Sequence, residues 1–227
     1  MRTLAAVLAE ADRPRLLGRA FETCMRLRLL ATSDEEIASA KRHLDYFVNL
    51  ATTEYPTMYV TALMRGEIAA IERRDRDAIA HFKEAEERVR AMPESRFLGQ
   101  LPAMILDRLS ELYNRVGERG LALEYTEKAI TAYEQMRRAA PVNLWHKRID
   151  LLLRFGETDR ALNFIDRIRA DYPDDEMLAK LRATALLLID RPAEAQQELT
   201  TTTATDTPED LIFRAQVAEI GGGLAPA

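Results

Sequence analysis

Apolar residues recur at helical spacing along most of the 227-residue chain. Between Asp34 and Thr53 they fall at every third or fourth position, from Ile37 through Leu44 to Ala51. This spacing places them on one stripe of an α-helix, whereas a strand would need a sustained alternation of apolar and polar residues, which we do not find. The pattern therefore predicts an all-α fold.

Prolines and glycines divide this pattern into segments. Pro56, Pro141 and Pro173 lie at segment edges, and Gly117 and Gly156 lie where one helix should turn into the next. Proline interrupts a helix, and glycine favours the left-handed backbone conformation that ends one. The segments predict twelve helices, at about 2–11, 13–31, 34–53, 57–74, 76–91, 100–116, 119–138, 142–155, 158–171, 174–189, 192–201 and 208–220.

A short motif repeats along the chain. It consists of a helix-ending residue followed five positions later by an alanine, and its four copies are Arg73 with Ala78, Gly117 with Ala122, Gly156 with Ala161, and Asp190 with Ala195. Ala40 is a fifth anchor, and the intervals between the alanines are 38, 44, 39 and 34 residues. We expect the first residue to let the chain reverse and the alanine to sit where two helices cross closely.

At these positions the sequence resembles the tetratricopeptide repeat family. The second-helix signature of that family is alanine, an aromatic residue four positions on and alanine three further, which Ala78, Phe82 and Ala85 match. First-helix marks are also present, such as the small residue Gly66 and the opening aromatic Trp145. The resemblance covers roughly residues 12–205, and its long intervals are similar to those of bacterial regulators that sense peptides or partner proteins.

The resemblance implies a right-handed superhelical solenoid of antiparallel helix pairs. The predicted organisation is a tetratricopeptide-like domain of about five helix pairs over residues 1–205, a C-terminal capping helix over 206–220, and a flexible tail over 221–227.

Charge and composition narrow the classes of partner. The formal net charge is −5 and no dominant basic face is evident, which disfavours nucleic-acid binding. No apolar run approaches the roughly 18 residues of a membrane span. The single cysteine, Cys24, cannot form an internal disulfide, which fits a reducing compartment. We therefore expect a cytoplasmic protein that binds neither nucleic acid nor membrane.

The sequence offers no constellation of catalytic or metal-binding residues. His43, His81 and His146 are isolated in different predicted helices, and there is no cysteine cluster or glycine-rich phosphate loop. We therefore predict no catalytic, cofactor or metal site, and a protein that is not an enzyme.

The first helix of each pair lines the concave side of such a solenoid. By analogy with the family, the predicted groove begins with mainly apolar residues and continues with polar ones. The residues of this first part are Val60, Leu63, Met64, Glu67 and Ile71. The polar residues that follow are the predicted partner-binding residues Asp107, Arg108, Glu111, Asn114, Arg115, Asn143, His146, Lys147, Asp150, Arg154 and Lys180. A solvated helix surface is the alternative for each of them.

A groove of mixed apolar and charged character suits an extended or helical peptide. The predicted function is therefore that of an adaptor or scaffold that binds another protein or peptide. Two alternatives stay open. One is a self-assembling scaffold, a homo-oligomer in which an exposed terminal helix enters the groove of another copy; its apolar residues are Leu211, Ile212, Phe213, Val217 and Ile220. The other is a helical regulator that responds to a small ligand.

Overall fold

In a computed structural model of the chain, residues 13–92, 99–201 and 208–222 are described, and all regular structure among them is α-helical. The helices are α1 (Arg13–Leu30), α2 (Asp34–Glu54), α3 (Tyr59–Ile71), α4 (Asp75–Arg90), α5 (Leu101–Arg115), α6 (Arg119–Gln135), α7 (Val142–Arg154), α8 (Thr158–Arg169), α9 (Glu176–Leu188), α10 (Pro192–Thr201) and α11 (Pro208–Gly222).

Eleven of the twelve predicted helices are present, and each of their ends lies within three residues of the predicted position. The predicted helix at 2–11 lies outside the described residues. Helix α11 extends to Gly222, two residues into the predicted tail, and the rest of that tail also lies outside the described residues. The structure thus confirms the all-α fold class that the spacing of apolar residues predicts.

The helices group into two compact units, residues 1–132 and 133–227. In unit 1, α1 packs against α2 and α3, α3 against α4, and α4 against α5. In unit 2, α9 packs against α7, α8 and α10, and α10 packs against α11. A single domain over 1–205 stays a prediction.

The four predicted helix-ending residues share one backbone conformation. Arg73, Gly117, Gly156 and Asp190 have positive φ angles of 60°, 83°, 75° and 58°. In each case the N–H of this residue donates to the carbonyl three residues back, and the next N–H donates to the carbonyl five residues back, at 2.9–3.3 Å. This is the Schellman termination, in which a left-handed residue satisfies the last carbonyls of a helix and reverses the chain.

The anchor alanines lie directly after these turns. Each is the fourth residue of its second helix and is fully buried; they are Ala78, Ala122, Ala161 and Ala195. The full burial of the anchor alanine in all four copies confirms the predicted register of the repeat.

The first helix pair departs from this register. Ala40 is buried, but it is the seventh residue of α2 rather than the fourth. The α1–α2 connection closes with a capping box instead of a left-handed turn: Glu36 N–H donates to Ser33 Oγ, and Ser33 N–H donates to the Glu36 carboxylate, each at 3.2 Å. Backbone hydrogen bonds from Thr32 and Ser33 lower the pKa of Glu36, because they favour its ionised form.

Candidate binding faces

The repeat register defines the same four positions on each of the first helices α3, α5, α7 and α9. Positions 18, 14, 11 and 7 residues before each anchor alanine are spaced by four, three and four residues, so they share one helix face. We call them the stripe. It comprises Val60, Met64, Glu67 and Ile71 on α3; Met104, Arg108, Glu111 and Arg115 on α5; Asn143, Lys147, Asp150 and Arg154 on α7; and Met177, Leu181, Thr184 and Leu188 on α9.

Seven of the eleven predicted partner-binding residues lie on the stripe. The other four flank it: Asp107, His146 and Lys180 occupy one equivalent position beside it, and Asn114 lies next to Arg115. Sequence reasoning did not include Met104, Met177 and Leu181, although the same register identifies them.

On α3 the stripe begins inside the core of unit 1. Val60 and Met64 are buried in a cluster with Leu17 and Phe21 of α1. Helix α1 also approaches so closely that a Cβ at Gly18 would lie 3.2 Å from Val60 Cγ2. The N-terminal half of the predicted groove is therefore packed interior at these two positions, because α1 covers it.

Arg108 joins the stripes of α3 and α5. Its Nε–H donates to Glu67 Oε1 at 3.0 Å, and its Nη1–H donates to Glu111 Oε2 at 3.1 Å. Burial raises the pKa of Glu67, and Arg108 works in the opposite direction. Burial also acts to lower the pKa of Arg108, but the charges of Glu67 and Glu111 outweigh it and the pKa is raised. The guanidinium thus holds two consecutive first helices in register.

Arg115 makes a second link within unit 1. Its Nη2–H donates to the Asp75 carboxylate at the start of α4 and, at 3.3 Å, to the carbonyl of Ala70 near the end of α3. This arginine therefore fastens α5 to the turn between α3 and α4. Its charge is already compensated by Asp75.

In unit 2, a histidine joins α7 to α9. His146 Nε2 lies 2.9 Å from Asp175 Oδ1, and the same oxygen accepts from Leu178 N–H at 2.8 Å. Asp175 is therefore both the N-cap of α9 and the partner of a side chain on α7. The contact fixes the first turn of α9 beside α7.

The α7 part of the stripe is polar and the α9 part is mainly apolar. On α7, Arg154 Nε lies 2.8 Å from Asp150 Oδ2, one turn away on the same helix. On α9, Met177 is 46% exposed and Leu188 is 58% exposed, and Leu181 between them is half-buried. The two helices pack against each other. A polar line and an apolar line therefore lie on neighbouring first helices of unit 2.

Neither a metal-binding cluster nor a membrane-spanning helix is found among the described residues. In the ranges 13–92, 99–201 and 208–222, no group of three or more His, Cys, Asp or Glu side chains is arranged to hold a metal ion. Within those same ranges no helix is both long and apolar enough to cross a membrane.

Comparison with known proteins supports the repeat at the level of both sequence and fold. A family model for the tetratricopeptide repeat matches residues 142–185, which span α7, α8 and most of α9. No curated protein matches the chain in sequence.

Several solved structures share the fold. A tetratricopeptide repeat protein from Parabacteroides merdae is 17% identical with a TM-score of 0.60, and the match covers 73% of this chain and 60% of that one. PilW, a type IV pilus biogenesis factor, is 16% identical with a TM-score of 0.67, over 93% of this chain and 87% of that one. YrrB, a protein with an unusual peptide-binding site, is 14% identical with a TM-score of 0.56, over 84% and 87%. With its repeated turns, its buried anchor alanines and the match over 142–185, the chain contains a tetratricopeptide repeat segment and has the fold of tetratricopeptide repeat proteins.

Proposed function

We propose that this protein binds another protein or a peptide segment, and that the stripe of α7 and α9 in unit 2 is the binding face. The observation that carries the proposal is the exposure of Met177 and Leu188 beside the polar line of α7. Exposed apolar side chains gain free energy when a partner covers them, whereas exposed charges gain little. YrrB, which shares the fold, has a peptide-binding site, and this likeness supports a peptide partner.

The partner that fits this face has apolar side chains for α9 and polar or mixed charges for α7. Asp150 and Arg154 present opposite charges one turn apart, so they favour a partner segment that carries both signs. The apolar contacts supply affinity, and the charges set the register of the bound segment. No catalytic step, cofactor, nucleic acid or membrane is part of the proposal, and we place the protein in the cytoplasm.

A second surface, in unit 1 and separate from the face on α7 and α9, comprises Asp107, Arg108, Glu111, Asn114 and Arg115. Their role differs from that of the unit 2 residues, because Arg108 and Arg115 already hold α5 to its neighbours. We propose that this surface contributes polar and charged contacts rather than apolar ones, and that Lys180 and His146 do the same in unit 2.

The test compares partner capture by the intact protein and by Met177→Glu with Leu188→Glu. The partner is first identified by capture from the native host and mass spectrometry, and its affinity is then measured by titration calorimetry. Burying two apolar side chains contributes about 1.5–3 kcal/mol each, so the double variant should bind at least roughly tenfold more weakly. Its melting temperature should change little, because both side chains are exposed.

The matched control is Leu121→Glu, an exposed leucine on the second helix α6 that lies off the stripe. It introduces the same charge at the same kind of residue and should leave affinity unchanged. Unchanged affinity in the folded double variant would place the binding face elsewhere and overturn the proposal.

A further inference from the structure

The first described helix has apolar residues on two sides. Leu17 and Phe21 of α1 are buried in the core of unit 1. On another side, Leu16, Thr23, Leu27 and Leu30 are exposed and Ala20 is half-buried, with Leu27 at 58% and Leu30 at 75% exposure. We call Leu16, Ala20, Thr23, Leu27 and Leu30 the α1 seam. Its spacing of four, three, four and three residues is that of a helix that packs lengthwise against another helix.

The last described helix has a similar outer face. Val217 of α11 is buried in a cluster with Ala183, Leu186 and Leu199, and Phe213 packs against that cluster. Leu211, Ile212, Ala215 and Ala218 are exposed, with Ile212 at 59%. We call these four residues the α11 seam. Its two alanines allow the backbone of a partner helix to approach closely.

The charges of the two helices are opposite. Helix α1 contains five arginines and one glutamate, and α11 contains three acidic residues and one arginine. The net formal charges are therefore 5 − 1 = +4 and 1 − 3 = −2. Like-charge pairing disfavours both an α1–α1 contact and an α11–α11 contact, whereas an α1–α11 contact is attractive.

We propose that copies of this chain associate head to tail, with the α11 seam of one copy packed against the α1 seam of the next. The helix lengths agree, since 18 and 15 residues correspond to about 27 and 22 Å. Because the two surfaces differ, the contact is heterologous, and association continues beyond a dimer unless it closes into a ring. This inference is independent of the proposed binding face on α7 and α9.

A lipid surface is the rival occupant of the α1 seam, because arginines and exposed leucines also suit anionic membranes. Three acidic residues, Asp34, Glu35 and Glu36, begin α2 immediately after the seam ends. They repel an anionic headgroup layer at the end of α1 where the exposed leucines are concentrated. The opposite charge of α11 therefore favours a second copy over a membrane.

The experiment uses two variants of the full chain, each with one spoiled seam. Leu27→Glu with Leu30→Glu spoils the α1 seam, and Leu211→Arg with Ile212→Arg spoils the α11 seam. Sedimentation velocity over roughly a hundredfold range of concentration should show wild-type mass rising beyond a dimer, while each variant alone stays monomeric. An equimolar mixture of the two variants should form a dimer and stop there, because only one intact α1 seam and one intact α11 seam remain.

The controls are Leu29→Glu, which lies on α1 off the seam and is 78% exposed, and Ile220→Arg, which lies on α11 off its seam and is 51% exposed. Both should assemble like the wild type. If a double variant loses its helical circular dichroism, Thr23→Glu replaces it for the α1 seam and Ala215→Arg for the α11 seam.

Three results would overturn the proposal. The first is a wild-type protein that is monomeric at every concentration, including one that instead sediments with phosphatidylserine vesicles. The second is a single-seam variant that still associates with itself, which would indicate an α1–α1 or α11–α11 contact. The third is an equimolar mixture that remains monomeric.

Discussion

Two helix pairs, α3–α4 in unit 1 and α9–α10 in unit 2, fill the same crossing point with different side chains. The position 12 residues before the anchor alanine is Gly66 in the first pair and Ala183 in the second, and the position four residues after it is Phe82 and Leu199. All four lie in the interior of their units. The largest side chain, Phe82, therefore packs against the smallest residue, Gly66, whereas the second pair combines a small side chain, Ala183, with a medium-sized one, Leu199.

The pair α5–α6 fills the same crossing point with polar side chains. Ser110 Oγ lies 2.6 Å from Thr126 Oγ1, and the Thr126 hydroxyl donates to the Ala122 carbonyl at 2.9 Å. Ser110 is therefore the donor to Thr126, and both buried hydroxyls are satisfied. The three helix pairs therefore keep the same spacing between the turn and the anchor alanine. The two residues at the crossing point, by contrast, differ together from one pair to the next.

The substitution that tests most directly whether the two crossing residues depend on each other is Gly66→Ala. A Cβ at this position would lie 2.9 Å from two carbons of the Phe82 ring, so the substitution overpacks the crossing and should cost about 1–3 kcal/mol of unfolding free energy. Adding Phe82→Leu recreates the Ala–Leu pair of unit 2 and should recover most of that loss. Chemical denaturation of the two single variants and the double variant measures the coupling.

The reciprocal change, Ala183→Gly with Leu199→Phe, serves as the control in unit 2. It should be tolerated better than Leu199→Phe alone, which overpacks Ala183. Strictly additive effects in both cycles would show that the crossing pairs do not compensate for each other.

The comparison also shows how far the sequence predicts the structure. Helix bounds, anchor alanines and left-handed turns follow from local spacing, and Arg73 and Asp190 adopt the conformation of the glycines they replace. The departure at Ala40 was not predicted, because a buried alanine alone does not identify the turn before it. The partners of Arg108 and Arg115 were not predicted either, since Glu67 and Asp75 lie 41 and 40 residues away.

Charged stripe residues of the two units should differ in their effect on stability. Arg108→Ala leaves the largely buried Glu67 carboxylate without its arginine, and we expect a loss of about 1 kcal/mol or more. Arg154 pairs with Asp150 at i, i+4 on an exposed surface, so Arg154→Ala should cost at most about 0.5 kcal/mol. Parallel denaturation curves measure both, and equal losses would contradict the distinction between the units.

Lowering the pH should reduce the loss of unfolding free energy that Arg108→Ala causes. Because burial raises the pKa of Glu67 above its usual value of 4.5, the protonated form is favoured in the folded state. That stabilisation is fully present below the unfolded pKa and is lost as the pH rises through the folded pKa. Removing Arg108 raises the folded pKa further, so the loss measured at pH 7 should shrink as the pH falls towards 4.5.

The smallest effects concern the turns that end α3 and α9. Arg73 and Asp190 hold positive φ angles of 60° and 58°, where the Cβ of a non-glycine residue costs about 1–2 kcal/mol. Glycine removes this strain but loses about 0.5–1 kcal/mol through the greater freedom of the unfolded chain. Arg73→Gly and Asp190→Gly should therefore stabilise the protein by about 0.5 kcal/mol, with the larger gain at Arg73 because aspartate tolerates the conformation better. Gly117→Ala and Gly156→Ala should shift the melting temperature in the opposite direction. A melting temperature lowered by Arg73→Gly would show that its side chain stabilises the turn by more than its backbone strains it.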